Sequence, residues 1–187
     1  MLMAGASLKS TGKTELICTL IRAFGSRLDI VGMKVTPVSL YGGGVPHGGK
    51  PSPLLSARHH TTWLFEEREP TLGTDTSRML ASGAKRAFWL RAREEHLADE
   101  FSNLLGIIGE KAVIICESNT LRRFVRPGVF LMILPNDVRE IKPSFHDIVE
   151  LADRIVHTDG SNFDISPNDI HFREGRWSLE NSSRIPE

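Results

Sequence analysis

Near the N-terminus, Ser7-Leu8-Lys9-Ser10-Thr11-Gly12-Lys13-Thr14 follows the spacing G-x-x-x-x-G-K-S/T, with Ser7 where the first glycine is expected. A nucleoside triphosphate needs several backbone N–H donors converging on its phosphates, an ammonium reaching the β/γ oxygens and a hydroxyl on Mg2+. Gly12, Lys13 and Thr14 supply those three things at the required spacing, and Ser7, Lys9, Ser10 and Thr11 complete the loop. The pattern predicts a bound ATP or GTP with Mg2+. Ser7 brings a Cβ to a position that often takes a glycine conformation, and Lys9 could project over the γ-phosphate or into water.

Such a loop is meaningful only where a buried strand runs into a helix N-terminus, whose partial positive charge adds to phosphate binding. Met1-Leu2-Met3-Ala4 is a short apolar run upstream; downstream, Leu16, Ile17, Leu20, Ile21 and Phe24 recur at helical spacing until Gly25. Ligands of open α/β sheets sit beyond the C-terminal ends of the strands, which singles out the polar residues just after each apolar run. Lys34 ends the second run and could neutralise phosphate or simply be solvated. Asp75 could join a metal shell or cap its helix. Glu117, directly after Val113-Ile114-Ile115-Cys116, is placed to bind Mg2+ through water or to orient attacking water. Asn136 and Asp137 follow the run from Val129. Lys13, Glu117 and Asp75 are thus the candidate catalytic residues, and Thr14, Glu117 and Asp75 the candidate Mg2+ ligands.

Other features carry less. His47, His59 and His60 lie in or beside a glycine-rich stretch that fixes no ligand geometry. Trp63 and Phe65 alternate with polar neighbours, as a packed edge strand would. Cys18 and Cys116 fall on expected core elements outside any C-x-x-C spacing, so reduced, packed thiols and a cytosolic setting are expected. The 23 Lys and Arg balance the 23 Asp and Glu, giving no call for nucleic acid or an anionic membrane. No apolar run approaches the roughly 20 residues that span a bilayer. An Asn-Lys-x-Asp motif, which would read guanine, is absent from the sequence.

The 187 residues suit one domain. The second strand is expected over 28–35, closed by Pro37. Residues 41–53, with five glycines and three prolines, read as a mobile loop, disordered or ordered by ligand. A short helix is expected over 74–84, capped by Asp75 or Thr76, then a strand over 86–90 and a helix over 94–108. The continuous apolar runs 112–116 and 129–134 are central strands covered on both faces. Ile148, Val149, Leu151 and Ala152 mark another helix and 154–157 a strand. Residues 164–187 hold a terminal hairpin turning at Glu174-Gly175, and a tail. This alternation predicts a three-layer α/β/α phosphate-loop NTPase fold with a mainly parallel sheet and a C-terminal β-hairpin.

The loop resembles the G-F-K-N-S-G-K-T loop of the molybdopterin-guanine dinucleotide biosynthesis protein B (MobB) family. Met33-Lys34 is similar to that family's strand-end lysine, Gly73-Thr74-Asp75-Thr76-Ser77-Arg78 with Ala81-Ser82-Gly83-Ala84 to its G-K-D-T/S-x-R…A-G-A segment, and Ile115-Cys116-Glu117-Ser118 to its strand ending in Glu-Gly. The chain departs from the family at Ser7, at Val35 in place of a histidine, at Ser118 in place of a glycine, and over 41–53. The resemblance implies a cytoplasmic, GTP-binding, weakly hydrolysing homodimer that assists a molybdenum-cofactor nucleotidyltransferase. The residues by themselves leave two other readings open: an ATP-dependent small-molecule kinase or ligase, and a nucleotide-regulated scaffold without hydrolysis. No arginine finger or glutamine is positioned by sequence, so any hydrolysis is expected to be slow.

Overall fold

A computed structural model describes residues 1–8, 11–38, 62–137 and 143–180, the side chains of 143 and 144 excepted. Lys9, Ser10, the stretch 41–53 and His47, His59 and His60 lie outside the described residues.

Side-chain alternation along the strands builds two separate cores. Leu2, Ala4, Ile115, Leu131 and Ile133 face one side of the sheet, and Met3, Ile114, Cys116, Phe130 and Met132 the other, all fully or nearly fully buried. A strand apolar at every position must be covered on both faces. The strands are β1 (Leu2–Ala6), β2 (Ile30–Pro37), β3 (Trp63–Glu67), β4 (Arg86–Ala92), β5 (Val113–Glu117), β6 (Val129–Pro135) and β7 (Arg154–Thr158). They form one seven-stranded sheet in the order β3-β4-β2-β5-β1-β6-β7. Only β3 runs antiparallel to its neighbour, at an edge, where Trp63 and Phe65 were expected to pack.

Helices α1 (Lys13–Phe24) and α2 (Asp75–Ala81) cover the first face; α3 (Leu97–Ile108) and α4 (Pro143–Val149) cover the second. The reason is topological. From β1 the chain moves outward to β2 and then to β3 and β4, then returns through β5 to β6 and β7. A constant crossover hand puts the connections of opposite directions on opposite faces. Leu16, Ile17, Leu20 and Ile21 bury the inner stripe of α1, each worth roughly 1.5–3 kcal/mol. Gly32 lets α2 approach β2, since a Cβ there would lie 3.0 Å from the Met79 Cβ.

A separate antiparallel hairpin, β8 (Ile170–Arg173) and β9 (Arg176–Leu179), packs on the α1 side, with Trp177 buried against Phe24. Several boundaries differ from expectation. β1 continues through Gly5 and Ala6, and β2 runs on to Pro37, paired with Ala92. The helix expected around 148–152 is α4, which starts at Pro143 and ends at Val149; Pro143 at its first position marks a helix start. No helix among the described residues is long and apolar enough to cross a membrane.

Candidate functional site

β1 ends beside β5 on one side and β6 on the other, and the chain leaves it by the connection that opens α1. Ligands of open α/β sheets collect in such a crevice. Ser7 is buried and still tied to the sheet, its N–H donating to the Ile133 carbonyl at 3.1 Å. Its backbone is not left-handed; among the described residues of the loop only Gly12 is, at φ 83°. The Cβ of Ser7 is therefore accommodated, and the glycine conformation is needed five residues later. A Cβ on Gly12 would also meet the Phe163 ring at 3.0 Å.

Gly12 caps α1 without a side-chain bond, its carbonyl accepting from the Leu16 N–H at 2.9 Å. The N–H groups of the first turn have no intrahelical acceptor and stay available to an anion. Lys13 folds back so that Nζ lies 3.4 Å from the Leu8 carbonyl, which also accepts from the Thr11 hydroxyl at 3.0 Å. Burial pushes the Lys13 ammonium pKa down; Glu117 and Asp75 oppose that shift and Lys34 adds to it. An incoming phosphate would relieve the cost of keeping that charge.

Three oxygens converge beside it. Thr14 Oγ1 lies 2.7 Å from Glu117 Oε2 and 3.1 Å from Asp75 Oδ1. A hydroxyl has one proton to donate, so it cannot satisfy both carboxylates fully. Two neighbouring ligands of an octahedral Mg2+ at 2.0–2.1 Å sit about 2.9 Å apart, a separation that both distances bracket. Thr14, Asp75 and Glu117 are therefore the residues that could hold a hard divalent cation, with water or phosphate in its remaining positions. Among the described residues no group of three or more His, Cys, Asp and Glu side chains gathers into a protein-only metal cage.

Asp75 is free for this because it does not cap its helix. Thr74 does, accepting from the Ser77 N–H at 3.1 Å while its hydroxyl donates to Glu67 Oε2 at 3.0 Å. The expected cap at Asp75 or Thr76 is therefore displaced by one residue, and Asp75 faces Thr14 and Lys34. Lys34 Nζ pairs with Asp75 Oδ2 and lies 5.4 Å over the Trp89 ring. Burial alone would raise the Asp75 carboxyl, but the hydrogen bond and charge of Lys34, with the Thr14 hydroxyl, bring it below its ordinary value.

Register explains why these groups meet. Ala4 pairs with Glu117 across β1 and β5, and Lys34 with Glu117 across β2 and β5. Glu117 is the last residue of β5, but Lys34, expected to end its strand, lies three residues before the end of β2 and meets the rim from within it. Asn136 and Asp137 follow β6 on the other side of β1, where the Asn136 N–H donates to the Thr158 carbonyl; no contact joins them to the Thr14 cluster.

Two contributors were not foreseen from sequence. Asn119 clamps the loop entry: Nδ2 donates to the Ala6 carbonyl at 2.8 Å and Oδ1 accepts from the Ala6 N–H at 2.9 Å. Gly5 makes room, since a Cβ there would lie 2.7 Å from Asn119 Oδ1. The second is Phe163, against Gly12. An amide two residues beyond Glu117 was a visible signal for the first; nothing local in the sequence signals the second.

A cavity of about 300 Å3 opens between Lys13 and Glu117 and the ends of β1, β2 and β5, walled by Leu8, Val35, Pro37 and Phe145. Comparison with protein-family models, curated proteins and solved structures finds no match to the chain.

Proposed function

We propose that the chain is a Mg2+-dependent phosphate-loop nucleotide-binding protein, acting as a slow GTPase accessory factor of the kind the MobB resemblance implies. One observation carries the reading: at the N-terminus of α1, the Thr14 hydroxyl lies 2.7 Å from a Glu117 oxygen and 3.1 Å from an Asp75 oxygen, separations that neighbouring metal ligands also take, beside Lys13 and Lys34. The first-turn N–H groups and Lys13 would bind the phosphates, and Lys34 would neutralise charge at the terminal one. Thr14, Asp75 and Glu117 would hold Mg2+, which supplies charge neutralisation across the β- and γ-oxygens when bound. Thr36, accepting from Trp89 Nε1 at 2.9 Å, fixes the ring over which Lys34 lies. The nucleotidyltransferase partner, the homodimer and the cytoplasmic setting rest on the resemblance alone.

The test is a calorimetric titration of purified protein with ATP and GTP, each with and without Mg2+, with hydrolysis followed in the same samples. Binding of GTP over ATP, dependent on Mg2+, with slow turnover is expected. Lys13→Ala should weaken it about a hundredfold or more, two charge-assisted contacts being worth about 1.5–3 kcal/mol each. Unchanged affinity in Lys13→Ala would remove the basis of the reading.

The cavity between Lys13 and Glu117 favours a second reading, transfer to a small acceptor. Its size falls at the lower end of metabolite pockets, and it opens beside Lys13, which would bind the phosphates. ATP consumption that rises only when a metabolite is supplied would favour this kinase or ligase reading over the accessory one.

A further inference from the structure

A second cavity, about 430 Å3, lies at the opposite end of α1, between the α1–β2 turn and the terminal hairpin. Some 12 residues of helix separate it from the phosphate loop, or about 18 Å. Its apolar walls are Phe24, Leu28, Ile170 and Phe172. Three basic side chains, Arg27, His171 and Arg173, line it as well, and no carboxylate among the described residues does.

That segregation stands out in a chain whose charges balance. Arg22, Arg78, Arg86, Arg93 and Arg123 each reach a carboxylate, while Arg68, Arg126, Arg154 and Arg176 have no ion pair among the described residues, so what sets this cavity apart is two such arginines on one wall. Among the described residues Arg27 and Arg173 reach none. The Arg27 guanidinium instead lies 5.5 Å over the Phe24 ring, and the Phe172 ring is held 5.0 Å from Trp177. The carbonyls at the end of α1 do not repel an anion freely, because those of Ile21 and Phe24 already accept from the Gly25, Arg27 and Leu28 N–H groups.

We propose that this cavity binds a small anion with a flat apolar body, its ring system against Phe24 and Phe172 and its carboxylate, sulfonate or phosphate held by Arg27 and Arg173. The volume suits a metabolite-sized ligand. Two always-charged guanidiniums select the anion through charge-assisted hydrogen bonds, and the aromatic walls select the flat body. The inference is independent of the phosphate-loop reading.

The experiment is a fluorescence titration of the full chain with anilinonaphthalene sulfonate, and with the uncharged N-phenylnaphthylamine as control. The sulfonate should bind one saturable site, about tenfold or more weaker in Arg27→Ala/Arg173→Ala and in the milder Arg27→Gln/Arg173→Gln. Both arginines are exposed, so circular dichroism of either variant should match the parent. The neutral dye should bind the variants and the parent alike. Saturating Mg2+ with inorganic triphosphate, which has no flat apolar body, should leave the sulfonate in place. Competition with AMP, GMP and naphthoate then tells a nucleotide from another aryl acid, and displacement by any of them supports the site. Unchanged sulfonate affinity in both double variants, loss of the neutral dye in parallel, displacement by Mg2+ with inorganic triphosphate, or failure of all three competitors would overturn it.

Discussion

Lys34 and Asp75 form the half-buried ion pair on which the rest of the rim depends. Asp75 divides its two oxygens: Oδ2 goes to Lys34 and Oδ1 to Thr14. Its folded carboxyl ionises below the unfolded value of about 3.9. The stabilisation it provides is therefore present above that unfolded value and is lost as pH falls through the lower folded one. Asp75→Asn should cost on the order of 1–2 kcal/mol at neutral pH and leave Lys34 without its carboxylate. Denaturation midpoints of parent and variant should differ by a constant amount at neutral and mildly acidic pH and converge on further acidification. Parallel midpoints down to the acid limit would show that the pair adds nothing to folding. Glu117 is the more buried carboxylate, 7 % exposed, and it reaches Thr14 with no direct ion pair to a lysine among the described residues. The two acids are therefore not equivalent: Asp75 pairs directly with Lys34, whereas Glu117 acts on Lys13 through its charge.

The junction of β1 with α1 depends on the turn after β5, where Asn119 satisfies both backbone groups of buried Ala6. Asn119→Ala would orphan a buried N–H and a buried carbonyl, each costing about 1–3 kcal/mol when unmet. Urea denaturation should show a loss of roughly 2–4 kcal/mol, with nucleotide affinity falling as the loop loosens; a loss below about 0.5 kcal/mol would mean that water replaces the amide at no cost. Much of this region could be read from the chain. The strand, loop and helix around Gly12-Lys13-Thr14, the apolar runs of β5 and β6, and Glu117 at a strand end all follow from local pattern. The cap did not, because Thr74, Asp75 and Thr76 are all good cap residues and only the position of Glu67 on β3, holding the Thr74 and Thr76 hydroxyls, selects among them. Phe163 over Gly12 was also invisible, since the contact joins residues at opposite ends of the sequence and depends on β7 lying two strands from β1.

At the scale of the whole molecule, α1 links the candidate phosphate site to the terminal hairpin. Its first turn carries Lys13 and Thr14; its last residue, Phe24, meets Trp177 edge to face at 5.1 Å and 85°. A helix packed at both ends into one core should not melt piecemeal, so the hairpin and the loop belong to one cooperative unit. A ligand that binds only the folded state stabilises it by about 2.7 kcal/mol at about 100 times Kd. For a chain of this length that corresponds to a rise in Tm of roughly 5–11 °C. Thermal unfolding followed by tryptophan fluorescence, with Trp177→Phe used to isolate the hairpin signal, should therefore show a single transition that moves up by this amount with Mg2+ and nucleotide. In Lys13→Ala it should stay where it is. A separate Trp177 transition that ignores nucleotide would mean that the hairpin is an appendage, and that occupancy at the N-terminus of α1 is not felt at its C-terminus.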